Sequence, residues 1–135
     1  ILSNGNISAE SLVAGGLVGA NDGVIYDSSA AVNVTGQGLA IIGGVTGYNN
    51  GYIESAYATG IVSGGEASAV GGLVGENDNG YITNSYATGN AAGGQLVGGL
   101  VGYNYGGDIH QSFAIGSVTG TGEGAWVGGL VGEGR

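Results

Sequence analysis

The residues of this chain that could do chemistry are few. His110 is the only histidine among 135 residues, which include ten carboxylates and one arginine but no lysine or cysteine. A metal-binding histidine normally has ligand companions, and none accompanies it. No Ser-His-Asp set is expected either, because no repeated pattern surrounds the histidine. His110 is therefore expected at a solvated outer position. The carboxylates offer one metal hypothesis. Glu76 and Glu133 follow equivalent Gly-Leu-Val-Gly strands, and Asp22 and Asp78 sit in equivalent Asn-Asp turns. Glu76 and Asp78 are thus the candidates for a calcium site completed by nearby carbonyls. The equivalent pairs elsewhere are Tyr48 with Asn50 and Tyr103 with Tyr105, which favours a solubilising acidic face and no cofactor. Glycoside hydrolysis needs paired carboxylates, yet the acids fall in different columns, and a lyase would want a cationic base. No enzyme is expected. A threonine rank suited to ice is interrupted, with Ala31 and Ile115 flanking Thr59 and Thr88.

What positions all these residues is a repeat. Gly-Gly-Leu-Val-Gly stands at 15–19, 71–75, 98–102 and 128–132, with Gly-Gly-Val-Thr-Gly at 43–47. The starts are 28, 28, 27 and 30 residues apart, a period that marks stacked coils. Without the GxxxxGK[ST] pattern this glycine-rich phrase is no phosphate loop. Each copy is followed by an Asn-containing turn and an isoleucine, namely Ile25, Ile53, Ile82 or Ile109. Asn and Gly tolerate the left-handed backbone of a tight corner. The next eleven residues align without a gap.

Their alternation sorts them into two sets. Ser28, Ala56, Ser85 and Ser112, then Ala30, Ala58, Ala87 and Ala114, then Val34, Val62, Ala91 and Val118 are compact and are expected to face inward. Ser29, Tyr57, Tyr86 and Phe113 begin the outward set, an aromatic stripe stacked about 4.8 Å from coil to coil. Tyr57, Tyr86 and Phe113 are therefore the candidate binding surface. The leucine column of the glycine phrase is the better core candidate than the fourth position, which admits Thr46. These patterns predict an all-β parallel β-helix (β-solenoid) with about five coils, each of about 28 residues and three short strands, on Gly-Gly-Leu-Val-Gly, around the isoleucine and along Ser-Tyr-Ala-Thr-Gly. One domain, 1–135, would comprise a partial repeat 1–14, repeats 15–42, 43–70, 71–97 and 98–127, and a partial repeat 128–135.

The ends suggest assembly. Asn4-Gly5-Asn6-Ile7 matches the turn and isoleucine, although only seven residues separate Ile7 from Gly15. Segments 1–14 and 128–135 together come close to one coil, so copies are expected to stack end to end through Ile7, Trp126, Leu130 and Val131. Trp126 is large enough to cover the final coil. A start at Ile1 without methionine reads as a mature or excised form. The formal charge of −9 excludes nucleic acid and anionic membrane surfaces as partners. No apolar run approaches the roughly 20 residues of a membrane helix. Asn6 and Asn33 stand in sequons that matter only in a glycosylating source.

Gly-Gly-Leu-Val-Gly-x-Asn followed by Gly-Tyr-Ile-x-x-Ser-Tyr-Ala-Thr-Gly resembles the GLUG-motif repeat, closest over Asn77 to Gly89 and extending over nearly all of residues 4–134. The resemblance implies a repeat region of bacterial or archaeal secreted surface proteins, such as adhesins or the non-catalytic part of immunoglobulin A peptidases. It implies an extracellular, cell-surface location and a structural or adhesive role, as a surface filament subunit or as a stalk that meets a glycan or host protein. It implies no catalytic residue.

Overall fold

The computed structural model describes residues 2–9 and 12–135, the side chains of residues 2–4 and 9 aside. The described residues contain no helix, and their strands pair in parallel, coil upon coil. Stacked coils of about 28 residues over about five turns make a β-solenoid, as the period predicts.

Each full coil crosses four sheets rather than the expected three strands. The first face holds Leu12–Gly15, Ala40–Gly43, Ala69–Gly71, Leu96–Gly98 and Trp126–Gly128. The second holds Val18–Asn21, Thr46–Asn49, Val74–Asp78, Val101–Tyr105 and Val131–Gly134. Val24–Tyr26, Tyr52–Glu54, Tyr81–Thr83 and Asp108–His110 form the third. In the fourth, Leu2–Ala9 lies on Ser29–Gly36, which later coils replace by pairs of short strands such as Tyr57–Ala58 and Val62–Ser63.

The extra face comes from the glycine phrase, which is a corner rather than a strand. One strand ends on its first glycine, the second glycine and the leucine bend, and the next strand begins on the fourth residue. At that bend the N–H groups of Leu73 and Val74 both donate to the carbonyl of Leu100, at 2.9 and 3.0 Å. Leu100 and Val101 repeat the pattern onto the carbonyl of Leu130, at 2.9 and 3.0 Å. Two consecutive donors converging on one acceptor interrupt the alternation, as in a β-bulge, so neighbouring side chains both turn inward. Leu73, Val74, Leu100 and Val101 are all fully buried. The leucine column is core as expected, and the fourth-position column joins it. Buried Thr46 is accommodated because its hydroxyl donates to the carbonyls of Tyr48 at 3.0 Å and Gly19 at 3.3 Å.

The inward set on the fourth face is as read. Ala30, Ala58, Ala87, Val34, Val62 and Ala91 are buried, while Thr59, Ile61 and Asn90 are exposed. Ser29 is the exception in the outward set: it is buried, and its backbone is paired with Leu2. That pairing corrects the reading of the first segment. Ile7 is opposite Val34, in the ninth-position column, and not in the Ile25 column. Its short separation from Gly15 is therefore the ordinary distance from the fourth face to the next corner. Ile1 lies outside the described residues. Between the third and fourth faces the chain turns on a left-handed residue in every coil, Asp27, Ser55, Asn84 and Gln111. All four are polar and unbranched at Cβ, which suits φ of 45–55°.

Candidate functional site

In a parallel stack, whatever residue faces a given direction meets its counterpart one coil away. Sites on this molecule are therefore columns. One polar column is an asparagine ladder at the junction of the second and third faces. Asn21 Nδ2 donates to Asn49 Oδ1, Asn49 Nδ2 to Asn77 Oδ1, and Asn77 Nδ2 to Asn104 Oδ1, each at 2.8 Å. The same amides tie down their own turns, Asn77 Nδ2 reaching the carbonyl of Gly80 at 3.0 Å and Asn104 Nδ2 that of Gly107 at 2.8 Å. Asn49 and Asn77 are fully buried, and no described buried side-chain polar atom is left without a partner. A serine column reinforces the next corner. Ser85 Oγ accepts from the N–H of Ala56 at 3.1 Å and donates to the carbonyl of Thr83 at 2.8 Å.

The outward aromatic stripe is present and tightly stacked. Tyr57 and Tyr86 have ring centroids 5.0 Å apart with planes 3° from parallel, and Tyr86 and Phe113 are 5.0 Å apart at 4°. Tyr86 spends both faces on its neighbours, and the stripe presents ring edges and the hydroxyls of Tyr57 and Tyr86 to solvent. A second ladder, Tyr52 on Tyr81 at 4.9 Å and 5°, runs up the third face. Register places Tyr26, Glu54, Thr83 and His110 in the column beside it, on the outside as expected for His110. Tyr52, Tyr81, Glu54, Thr83 and His110 border a surface trough of about 610 Å³.

The calcium candidates lie on one strand of the second face. Asp78 Oδ2 accepts the Tyr48 hydroxyl at 2.6 Å, and its Oδ1 accepts Asn79 Nδ2 at 2.6 Å. Both of its oxygens are thus engaged by neutral donors, and among the described residues no three acidic, histidine or cysteine groups gather as a metal set. The bond to Asp78 pushes the Tyr48 phenol up to about 12. Burial, and then the charge of Asp78, raise the Glu76 carboxyl above its ordinary 4.5. A raised carboxyl favours the fold while protonated, so that contribution is whole below pH 4.5 and is lost as pH rises through the folded-state value. Glu76→Gln should therefore be more stable than the parent at pH 7, by no more than about 1 kcal/mol given its partial exposure, and the difference should close below about pH 4. Thermal unfolding across pH checks this.

Of the assembly candidates, Leu130 is 40% exposed where Leu73 and Leu100 are fully buried, and Ile7 and Val131 are half-buried. Trp126 does not cover the last coil. It pairs with Leu96 and continues an outward apolar column of Val13, Ile41, Ala69 and Leu96 along the first face. Leu12, Leu39 and Ile41 help line an apolar groove of about 270 Å³ there. The asparagine ladder and the Tyr52–Tyr81 pair escaped sequence reasoning. Their signal is an Asn recurring in four repeats and tyrosines 29 residues apart, but an Asn before a Gly reads equally well as a turn former.

Residues 66–92 and 93–119 each match the family model described as the GLUG motif. The two matches are tandem, and each spans one coil from the loop before the first face onward. No curated protein and no solved structure matches the chain.

Proposed function

We propose that this β-solenoid, which carries two tandem GLUG motifs, is a non-catalytic structural and adhesive module of an extracellular surface protein. The observation that carries this reading is the continuity of its outer columns. A surface on which each side chain meets its counterpart every coil, ring upon ring in the aromatic stripe, is a rigid, multivalent rod, suited to holding a contact stripe away from its anchorage. The stripe of Tyr57, Tyr86 and Phe113 is the contact surface in this reading, offering ring edges and hydroxyls to a glycan or a protein. Alanine at all three positions is expected to lower binding to glycan arrays or matrix proteins at least about tenfold, as loss of a clustered aromatic hot spot does. Unchanged binding by a folded triple variant rejects the contact role.

End-to-end association of copies is the second reading. It is supported by Leu130 and Val127, 40% and 48% exposed in columns that are buried in earlier coils, which a coil from a second copy would cover. Concentration-dependent sedimentation and electron microscopy test it. A monomer that persists at high concentration rejects it and leaves the adhesive reading intact.

A further inference from the structure

We propose that the trough on the third face binds a linear, uncharged oligosaccharide lying along the solenoid axis. This site is separate from the Tyr57–Tyr86–Phe113 stripe and does not depend on it. Two rails define the trough. One is the Tyr52–Tyr81 ladder, with the rings 56% and 43% exposed. The other is a carboxylate, a hydroxyl and an imidazole, those of Glu54, Thr83 and His110, in direct register on three successive strands. Gln111, on the left-handed corner, adds an amide at one end.

The spacing selects the ligand. Hydrogen-bonding groups recur along the polar rail at the inter-strand distance of about 4.8 Å. Pyranose units joined through opposite sides of the ring recur at nearly this distance, each bringing hydroxyls that both donate and accept. An extended peptide advances about 3.3 Å per residue and falls out of phase with the rail within one or two residues. A pocket with an aromatic wall and a few fixed polar groups has the composition that orients a small ligand. Tyr52 and Tyr81, stacked 4.9 Å apart from one coil to the next, turn ring edges and hydroxyls toward a ligand lying along the axis. Charge completes the selection: with ten carboxylates, one arginine and no lysine, the chain repels acidic polysaccharides and phosphates.

The test is a two-dimensional amide NMR titration of the whole chain with cellohexaose, an extended glucan, and with maltohexaose, a coiled one of the same composition. Cellohexaose should shift amides confined to 52–55, 81–84 and 108–111 and bind more tightly than maltohexaose. Tyr81→Ala should weaken binding about tenfold, and Thr83→Val by several-fold, with Ile61→Ala, at an exposed position of the fourth face, unchanged. Thr83→Val retains the shape of the rail and decides the matter should Tyr81→Ala fail to fold. No perturbation in the trough by either saccharide, perturbation at the Tyr57 stripe in its place, or binding that survives Thr83→Val together with a folded Tyr81→Ala overturns the proposal. Equal affinity for the two glucans overturns the axial match.

Discussion

Gly72→Ala is expected to lose at least about 3 kcal/mol of folding stability, and Gly129→Ala less than about 1 kcal/mol, although both replace the second glycine of the same phrase. A Cβ at Gly72 would run into the carbonyl oxygen of Gly99 in the next coil and would lie 2.9 Å from the Cβ of Ala87. The obstacles are backbone and a methyl group, neither of which can rotate away. Moving them means spreading two coils whose strands are hydrogen-bonded above and below. Gly129 has nothing within 4 Å of the same position. Neither glycine has a positive φ, so conformational freedom is not what the phrase requires here. Urea unfolding followed by the single tryptophan, Trp126, and by far-ultraviolet circular dichroism measures both. Equal losses at the two sites would show that the requirement is a local backbone preference and would refute the interlocking of coils.

Asn77→Ala is expected to cost about 2–4 kcal/mol, because it strands buried partners on both sides. Asn104 Oδ1 loses its donor, the Gly80 carbonyl loses its side-chain donor, and Asn49 Nδ2 loses its acceptor in the next coil. Asn77→Asp has nearly the same shape and is expected to be worse at pH 7. An ionised carboxylate still accepts from Asn49, but it faces the two acceptors to which Asn77 donated and has no proton to give them. Burial there raises its folded-state pKa above an ordinary Asp value of about 3.9, so stability is recovered as pH falls through the raised value, and the defect is full well above it. The alanine variant has no such dependence. Unfolding midpoints of the pair from pH 4 to pH 8 separate a ladder from a set of independent turns; parallel curves would reject the ladder.

Much of the coil was legible because every coil repeats the same decision. Ala30, Ala58, Ala87 and Ala114 share one column, and only a small side chain facing inward explains such uniformity. The corner was not legible from alternation alone. Leu73 and Val74 both point inward because two N–H groups share the Leu100 carbonyl, and that convergence has no counterpart in a period of two. For Ile7 the local match of Asn4-Gly5-Asn6-Ile7 points to the wrong column, and chain length points to the right one. The eight steps from Ile7 to Gly15 are nearly the nine from Val34 to Gly43. The aromatic stripe was visible as a column, but what it offers a partner follows from the coil spacing. Rings held about 4.8 Å apart stack on each other, and their edges are what remain outside.

The asparagine ladder also sets a direction. Asn21, Asn49 and Asn77 each donate toward the higher-numbered coil and Asn104 accepts the last of these bonds, so the bond dipoles add head to tail. Strand dipoles in sheets leave only a small net moment, whereas aligned side-chain amides polarise one another along the chain. The rod is therefore electrically unequal along this edge, with carbonyl character toward Asn21 and amide character toward Asn104. Were copies of the chain to stack, an added coil would continue the vector only in the same orientation, so the ladder would favour head-to-tail stacking over a two-fold joining of like ends.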